Sequence, residues 1–311
     1  MNSKTDREGF PAETGSRIHD PEITGHTGLL GLIGHPVGHS SSPAMHNLGC
    51  RLLGLDYRYL AFDVTEDRVP QALEAMRTLQ IRGFNVTMPD KIAAAQYVDV
   101  LSPAARIIGA CNTIVNDNGK LTGHITDGEG FVRGLQDRGI GIRGKKIAVA
   151  GGGGAAAAIQ VQCALDGAGV VSIFNRRRGR FWGRALETAE KIRAACPDCE
   201  VNVYDLEDTA KMTAEILDSD IFCNATVVGM RPMEDQSVVK DLSALRPGLA
   251  VCDAVYEPLE TKLLHDAKAA GCTILNGRSM LLWQGAAAFR LFTGCDLPVQ
   301  AVKERCFPEL L

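Results

Sequence analysis

The sequence predicts an α/β protein built from two units. Three observations carry that reading. Short apolar runs of strand length alternate with stretches of helical spacing, the alternation restarts at Lys146, and the restart runs straight into four consecutive glycines. Strand–helix alternation is the pattern of a parallel sheet covered by helices. At 311 residues the chain also exceeds what one small core organises.

The elements follow in order. Leu29–Ile33, ending at Gly34, reads as a buried strand, and Ser42-Pro43 opens a helix with proline in its first turn. Tyr57–Phe62 alternates as a strand does, and Val69–Leu79 has helical spacing. Gly83–Thr87 is a strand cut off by Pro89, and Lys91–Tyr97 is a short helix. A boundary falls near Gly128–Lys145. Past it come the strand Lys146–Ala150, the helix Ala155–Leu165, the strand Val170–Asn175 and the helix Arg180–Ala194. Ile221–Ala225 and Leu249–Asp253 are further strands, Ser279–Phe292 is a long helix, and Pro298–Cys306 is a last one. No internal repeat is present.

Composition narrows the function. Apolar residues make up 45% and charged residues 23%, a globular balance. A formal charge of -4 gives no general attraction to nucleic acid or an anionic membrane, and no apolar run is long enough to span a bilayer. Residues 1–27 mix Lys4, Asp6, Arg7, Glu8, Glu13, Arg17 and Asp20 with Gly and Pro. They read as a polar, mobile tail rather than an export signal. Ten cysteines without such a signal suggest reduced thiols in the cytoplasm. Cys196-Pro-Asp-Cys199 lacks a second pair at matching spacing, so it reads as a loop, and no metal is expected.

The glycine turn is the most informative segment. Gly151, Gly153 and Ala156 fit G-x-G-x-x-G/A, within Gly151-Gly152-Gly153-Gly154-Ala155-Ala156, after a strand and before a helix. The first glycine makes the tight turn, the second admits a pyrophosphate, and the small third residue permits close helix packing. Phosphates then sit on the positive end of the helix. The second unit is therefore expected to be a Rossmann-like dinucleotide-binding domain. Its second strand ends in Asn175-Arg176-Arg177-Arg178-Gly179-Arg180, where an NAD site usually carries Asp or Glu. Guanidinium groups suit a 2′-phosphate, so NADP is favoured with NAD as second choice, although a basic run is also an ordinary solvated turn.

Three polar clusters precede that unit. His39-Ser40-Ser41-Ser42-Pro43 offers hydroxyls at a helix start, for a carboxylate or simply as a helix cap. Asn85-Val86-Thr87-Met88-Pro89-Asp90-Lys91 brings Lys91 to a strand's C-terminal edge, where ligands bind in open sheets, although most lysines are only solvated. Gly109–Thr113 and Gly123–Gly128 form the third. In it Asp127 is either a helix cap or the partner that tunes Lys91.

Together these segments resemble the shikimate dehydrogenase family from about Gly31 to the C-terminus. Asn224–Met230, Val255-Tyr256 and Met280–Gly285 also carry the likeness. The match looks closest to the quinate/shikimate branch. The resemblance implies an NAD(P)-dependent oxidoreductase interconverting 3-dehydroshikimate and shikimate, and also 3-dehydroquinate and quinate, with a cleft between the two units. It implies Lys91 and Asp127 as the catalytic pair. It assigns the substrate carboxylate to Ser40, Ser42 and Tyr256, and the ring hydroxyls to Asn85, Thr87, Asn112 and Gln284. The cofactor would be held by Gly151, Gly152, Gly153, Gly154, Ala155, Asn175, Arg176, Arg178, Thr226, Val255 and Gly277. A substrate domain of residues 28–127 would be completed by helices of 279–311, with 128–278 as the nucleotide domain in a monomer or homodimer. Four positions depart from the family pattern. They are Ile125 before Thr-Asp-Gly, Glu257 after Tyr256, Ser279 before Met280, and Arg178 in place of an acidic residue of the NAD-using branch. A dehydrogenase for a related ring acid such as aminoshikimate, or a non-catalytic dinucleotide-binding regulator, are the alternatives.

Overall fold

Two six-stranded sheets form in the computed structural model, which describes residues 22–311. The first contains β1 (Gly28–Gly34), β2 (Tyr57–Asp63), β3 (Gly83–Val86), β4 (Val100–Leu101), β5 (Thr113–Asp117) and β6 (Lys120–His124), in the order β2-β1-β3-β5-β6-β4. The expectation of a parallel sheet holds for β1, β2 and β3 and again for the β4–β6 pair, but not for β5. β5 runs antiparallel to both β3 and β6. The cause is local. Asn118 and Gly119 both take positive φ, 54° and 92°, the two-residue turn that joins antiparallel strands with the right twist. The Asn-Gly pair signals a hairpin that the reading above did not use.

Helices α1 (Ser42–Leu53), α2 (Val69–Thr78), α3 (Lys91–Gln96), α4 (Pro103–Ile108) and α5 (Asp127–Asp137) accompany this sheet. The second sheet contains β7 (Lys146–Ala150), β8 (Val170–Asn175), β9 (Glu200–Asp205), β10 (Ile221–Asn224), β11 (Ala250–Asp253) and β12 (Thr273–Leu275). All its pairings are parallel, in the order β12-β11-β10-β7-β8-β9. Around it lie α6 (Gly154–Leu165), α7 (Trp182–Ala195), α8 (Thr209–Leu217) and α9 (Lys262–Ala269), followed by α10 (Gly277–Thr293) and α11 (Val299–Cys306). Strand order reverses at β7, so its C-terminal end opens a crevice at the position where doubly wound sheets bind ligands.

Two helices bring the sheets together. α10 leaves the second sheet and lays Ala288 and Phe292 into the core beneath β1, with Leu30, Tyr59 and Val115. α5 crosses against α10 so closely that a Cβ on Gly130 would lie 2.5 Å from the backbone nitrogen of Gln284. No side chain fits there, and the C-terminal edges of both sheets therefore face one gap.

The tail expected for residues 1–27 lies mostly outside the described residues, and residues 22–26 are exposed ahead of β1. Cys196 and Cys199 close a turn after α7, with the Cys199 N–H donating to the Cys196 carbonyl at 3.0 Å. All ten cysteines are unbridged. No described helix is long and apolar enough to cross a membrane.

Candidate active site

The gap between the sheets contains a cavity of about 230 Å³. Ser40, Ser42, Asn85, Thr87, Lys91, Asn112, Asp127, Tyr256 and Gln284 all line it, as do Ala155 and Gly277. These residues come from segments far apart in the chain. Ser40 and Ser42 stand where β1 turns into α1. Asn85 and Thr87 end β3, Lys91 opens α3, Asn112 precedes β5, and Asp127 opens α5. Gln284 projects from α10 and Tyr256 from the loop after β11.

Lys91 and Asp127 meet directly, with Nζ 2.5 Å from Oδ2. Their side chains are 22% and 9% exposed, so the pair is sheltered yet still open to a small molecule. Thr126, not Asp127, is the cap residue of α5, which leaves the Asp127 carboxylate in the first helical turn, where the helix dipole favours negative charge. Its second oxygen accepts from the Asn112 amide at 3.0 Å. Cys111, beside the ammonium, is no competing nucleophile. Burial pushes its thiol up to about 12, against a smaller lowering by Lys91. Asp90, next in sequence to Lys91, belongs to other surroundings. Its carboxylate is buried without a hydrogen bond, and burial with help from Glu66 raises it to about 6, opposed by His35.

The serines are not acting as helix caps. Ser41 holds the cap position of α1 without a side-chain bond, and Ser40 Oγ accepts from the Ser42 N–H at 3.2 Å. The Ser40 hydroxyl hydrogen remains available for a ligand anion.

The nucleotide elements lie along the same gap. Gly151 has φ +129°, and a Cβ there would come 2.6 Å from the Ala225 carbonyl oxygen. Gly152 is pressed against Asn175, whose side-chain nitrogen is buried and unpartnered. Gly153 and Gly154 face open space, and Gly153 caps α6 without a side chain, leaving that helix's first N–H groups exposed. Arg176 and Arg178 are exposed past β8, and neither side chain makes an ion pair among the described residues. The cradle thus suits a dinucleotide with an anionic group at the arginine end.

Thr226, Val255 and Gly277 gather at the opposite end, held by two residues given no role above. Asn224 accepts from the Thr226 hydroxyl at 2.7 Å and donates to Asp253 at 3.0 Å. Asp253 accepts from the Val255 N–H at 2.9 Å and the Thr261 hydroxyl at 2.7 Å. Burial raises Asp253 to about 6, with those donors opposing. Ending a strand with a polar residue at the ligand edge is the signal that marks both.

A Rossmann sheet, an open glycine turn at the head of α6 and a lysine–aspartate pair in the adjoining cavity define an NAD(P)-dependent oxidoreductase. The comparisons narrow the class. Residues 32–114 match the shikimate dehydrogenase substrate binding domain, and residues 277–307 the shikimate 5'-dehydrogenase C-terminal domain. The shikimate dehydrogenase (NADP(+)) of Listeria monocytogenes serotype 4b is 49% identical over 285 residues, covering 92% of this chain and 97% of that protein. The quinate/shikimate dehydrogenase of Escherichia coli O17:K52:H18 is 44% identical, covering 91% of this chain and 98% of its own. The crystal structure of shikimate 5-dehydrogenase from Listeria monocytogenes, in complex with shikimate and NAD, superposes with a TM-score of 0.88 at 48% identity. It covers 91% of this chain and 98% of that one. The chain belongs to the shikimate dehydrogenase family.

Proposed function

We propose that the protein interconverts 3-dehydroshikimate and shikimate with NADP(H) as the preferred cofactor. The observation that carries the reading is the contact of Lys91 with Asp127 at the wall of a cavity that also reaches the glycine-turn helix through Ala155. In this reading residues 28–127 with the helices of 279–311 bind substrate, and 128–278 bind the nucleotide. The enzyme works as a cytoplasmic monomer or homodimer.

When bound, the nicotinamide donates or accepts a hydride at the ring carbon that bears the reacting oxygen. Lys91 gives a proton to that oxygen in reduction and takes it back in oxidation. Asp127 holds the ammonium in place. Ser40, Ser42 and Tyr256 present hydroxyls to the ring carboxylate, and Asn85, Thr87, Asn112 and Gln284 meet the ring hydroxyls. Gly151–Ala155, Asn175, Thr226, Val255 and Gly277 form the nucleotide cradle. Holding both reactants in one sheltered gap replaces a bimolecular encounter by an oriented one.

The test is reduced-cofactor formation with shikimate and with quinate, each with NADP and NAD. Shikimate with NADP is expected to give the highest kcat/KM. Absence of turnover in all four combinations overturns the reading, and a preference for quinate or for NAD corrects its finer part. The arginines carry a separate expectation. With two guanidinium contacts to a 2′-phosphate removed, the double variant Arg176→Ala, Arg178→Ala should raise the KM for NADP about thirtyfold and that for NAD less than about threefold. Equal changes for both cofactors would count against the assigned role.

A further inference from the structure

Tyr59 and Thr113 have no part in the reaction as described, yet both are 0% exposed and both hydroxyls bond toward the Lys91–Asp127 pair. Two backbone groups determine the polarity of the bonds that join them. The Asn112 backbone carbonyl can only accept, so the Asn85 amide nitrogen faces it, at 3.2 Å. The Asn85 amide oxygen then faces the Tyr59 hydroxyl at 2.8 Å, and Tyr59 donates. The Thr126 backbone N–H can only donate, so the Asn112 amide oxygen faces it, at 2.7 Å. The Asn112 nitrogen is thereby aimed at Asp127 Oδ1, 3.0 Å away. Thr113 stands between the two amides. It accepts from the Asn85 nitrogen at 3.0 Å, which leaves its single hydrogen for Asn112 Oδ1 at 3.2 Å, with Thr126 Oγ1 beside it at 3.3 Å.

We propose that Tyr59 and Thr113 are positioning residues in a one-way hydrogen-bond chain, Tyr59 to Asn85 to Thr113 to Asn112 to Asp127, which orients the carboxylate that holds Lys91. Bonds aligned head to tail polarise one another, so the donor reaching Asp127 is strengthened by those behind it. The origin of the chain stays a donor, because burial raises the Tyr59 phenol far above its usual range against a smaller pull from Ser42. The polarity also sets what Asn85 offers a ligand. Both its amide hydrogens are committed, to the Asn112 carbonyl and to Thr113. One lone pair of its oxygen remains, so the ring position facing Asn85 has to carry a donor, a free hydroxyl rather than a ketone or an ether.

This inference rests on the function proposed above, and the unmodified enzyme is assayed first with shikimate and NADP so that a failure there belongs to that reading. Thr113→Val breaks the chain at its middle, Thr113→Ser keeps the hydroxyl, and Tyr59→Phe keeps the ring but removes the first donor. Thr113→Val is expected to lower kcat about tenfold with less than about a threefold rise in KM for shikimate, the scale of one lost hydrogen bond in a buried network. Thr113→Ser should return kcat to within about twofold of wild type, and Tyr59→Phe should lower kcat/KM about tenfold with NADP affinity unchanged. Wild-type kinetics in Thr113→Val, or equal losses in Thr113→Ser and Thr113→Val, overturn the proposal. Should Thr113→Val not fold, Tyr59→Phe decides, and unchanged kcat/KM in that variant overturns it equally.

Discussion

Lys91→Ala should reduce turnover of shikimate by about a thousandfold while NADPH binding stays within about twofold of wild type, because proton transfer by a positioned side chain is typically worth about 10² to 10⁴. Lys91 lines the cavity but not the glycine turn, so the loss falls on chemistry and substrate, not on the nucleotide. The variant also strips Asp127 of its cation and leaves that buried carboxylate with the Asn112 amide as its remaining side-chain donor. Lys91→Arg is expected to be nearly as impaired, since a guanidinium keeps its proton and needs more room than an ammonium. Steady-state kinetics with NADPH titrations by fluorescence separate the two effects. More than half the wild-type turnover in Lys91→Ala would remove this residue from proton transfer.

The meeting of Lys91 and Asp127 was legible because both residues follow local rules. Lys91 comes after a strand ended by Pro89, and Asp127 precedes a helical run, so both fall at element ends where sheets bind ligands. The glycine turn was legible for the same reason, being a strand, a tight turn and a helix in sequence. The antiparallel half of the first sheet was not read, although Asn118-Gly119 announces it, because the surrounding helix–strand alternation outweighed one dipeptide. β12, of three residues, and β4, of two, are too short to show a period. Tyr59 escaped notice for a different reason. In a strand such as β2 a buried tyrosine reads as core, and only the fold brings its hydroxyl to Asn85, 26 positions away. Thr113 is likewise a plain strand residue until β3 and β5 pair it opposite Asn85. Contacts made across a sheet leave no mark in either segment alone. Asp253 and Asn224 sit between these cases, since each ends a strand visibly but the bond between them depends on β10 and β11 lying side by side.

The acid limb of stability should depend on His46, and the dependence should vanish in His46→Phe. The imidazole is 0% exposed on α1, stacked on Tyr59 with ring centres 4.3 Å apart and planes 9° apart, and neither nitrogen has a hydrogen-bond partner. Burial lowers its pKa from 6.5 to about 3. Well above pH 6.5 the ring is neutral in both folded and unfolded chains and contributes no pH dependence. Below it the unfolded chain takes up a proton that the folded chain refuses. Stability is then lost by roughly 1.4 kcal/mol per pH unit until the folded ring also titrates. Asp90 and Asp253 act the other way, because each is raised from 3.8 to about 6, so the folded protein binds their protons more readily as the pH falls. The wild-type profile alone therefore mixes opposing contributions, and the difference between variant and wild type isolates the histidine. Phenylalanine keeps a flat ring against Tyr59 and has nothing to protonate. Whatever constant offset its larger volume introduces against Phe289 and Phe292, the slope of the difference with pH is the measure. Urea unfolding at a series of pH values should show His46→Phe gaining on wild type by roughly 2.3 kcal/mol between pH 6.5, where the unfolded imidazole is already half protonated, and pH 4.5. A difference that stays constant over that range would mean that the ring finds a proton acceptor or solvent in the native protein. The stack that holds the Tyr59 hydroxyl toward Asn85 would then be looser than its geometry implies.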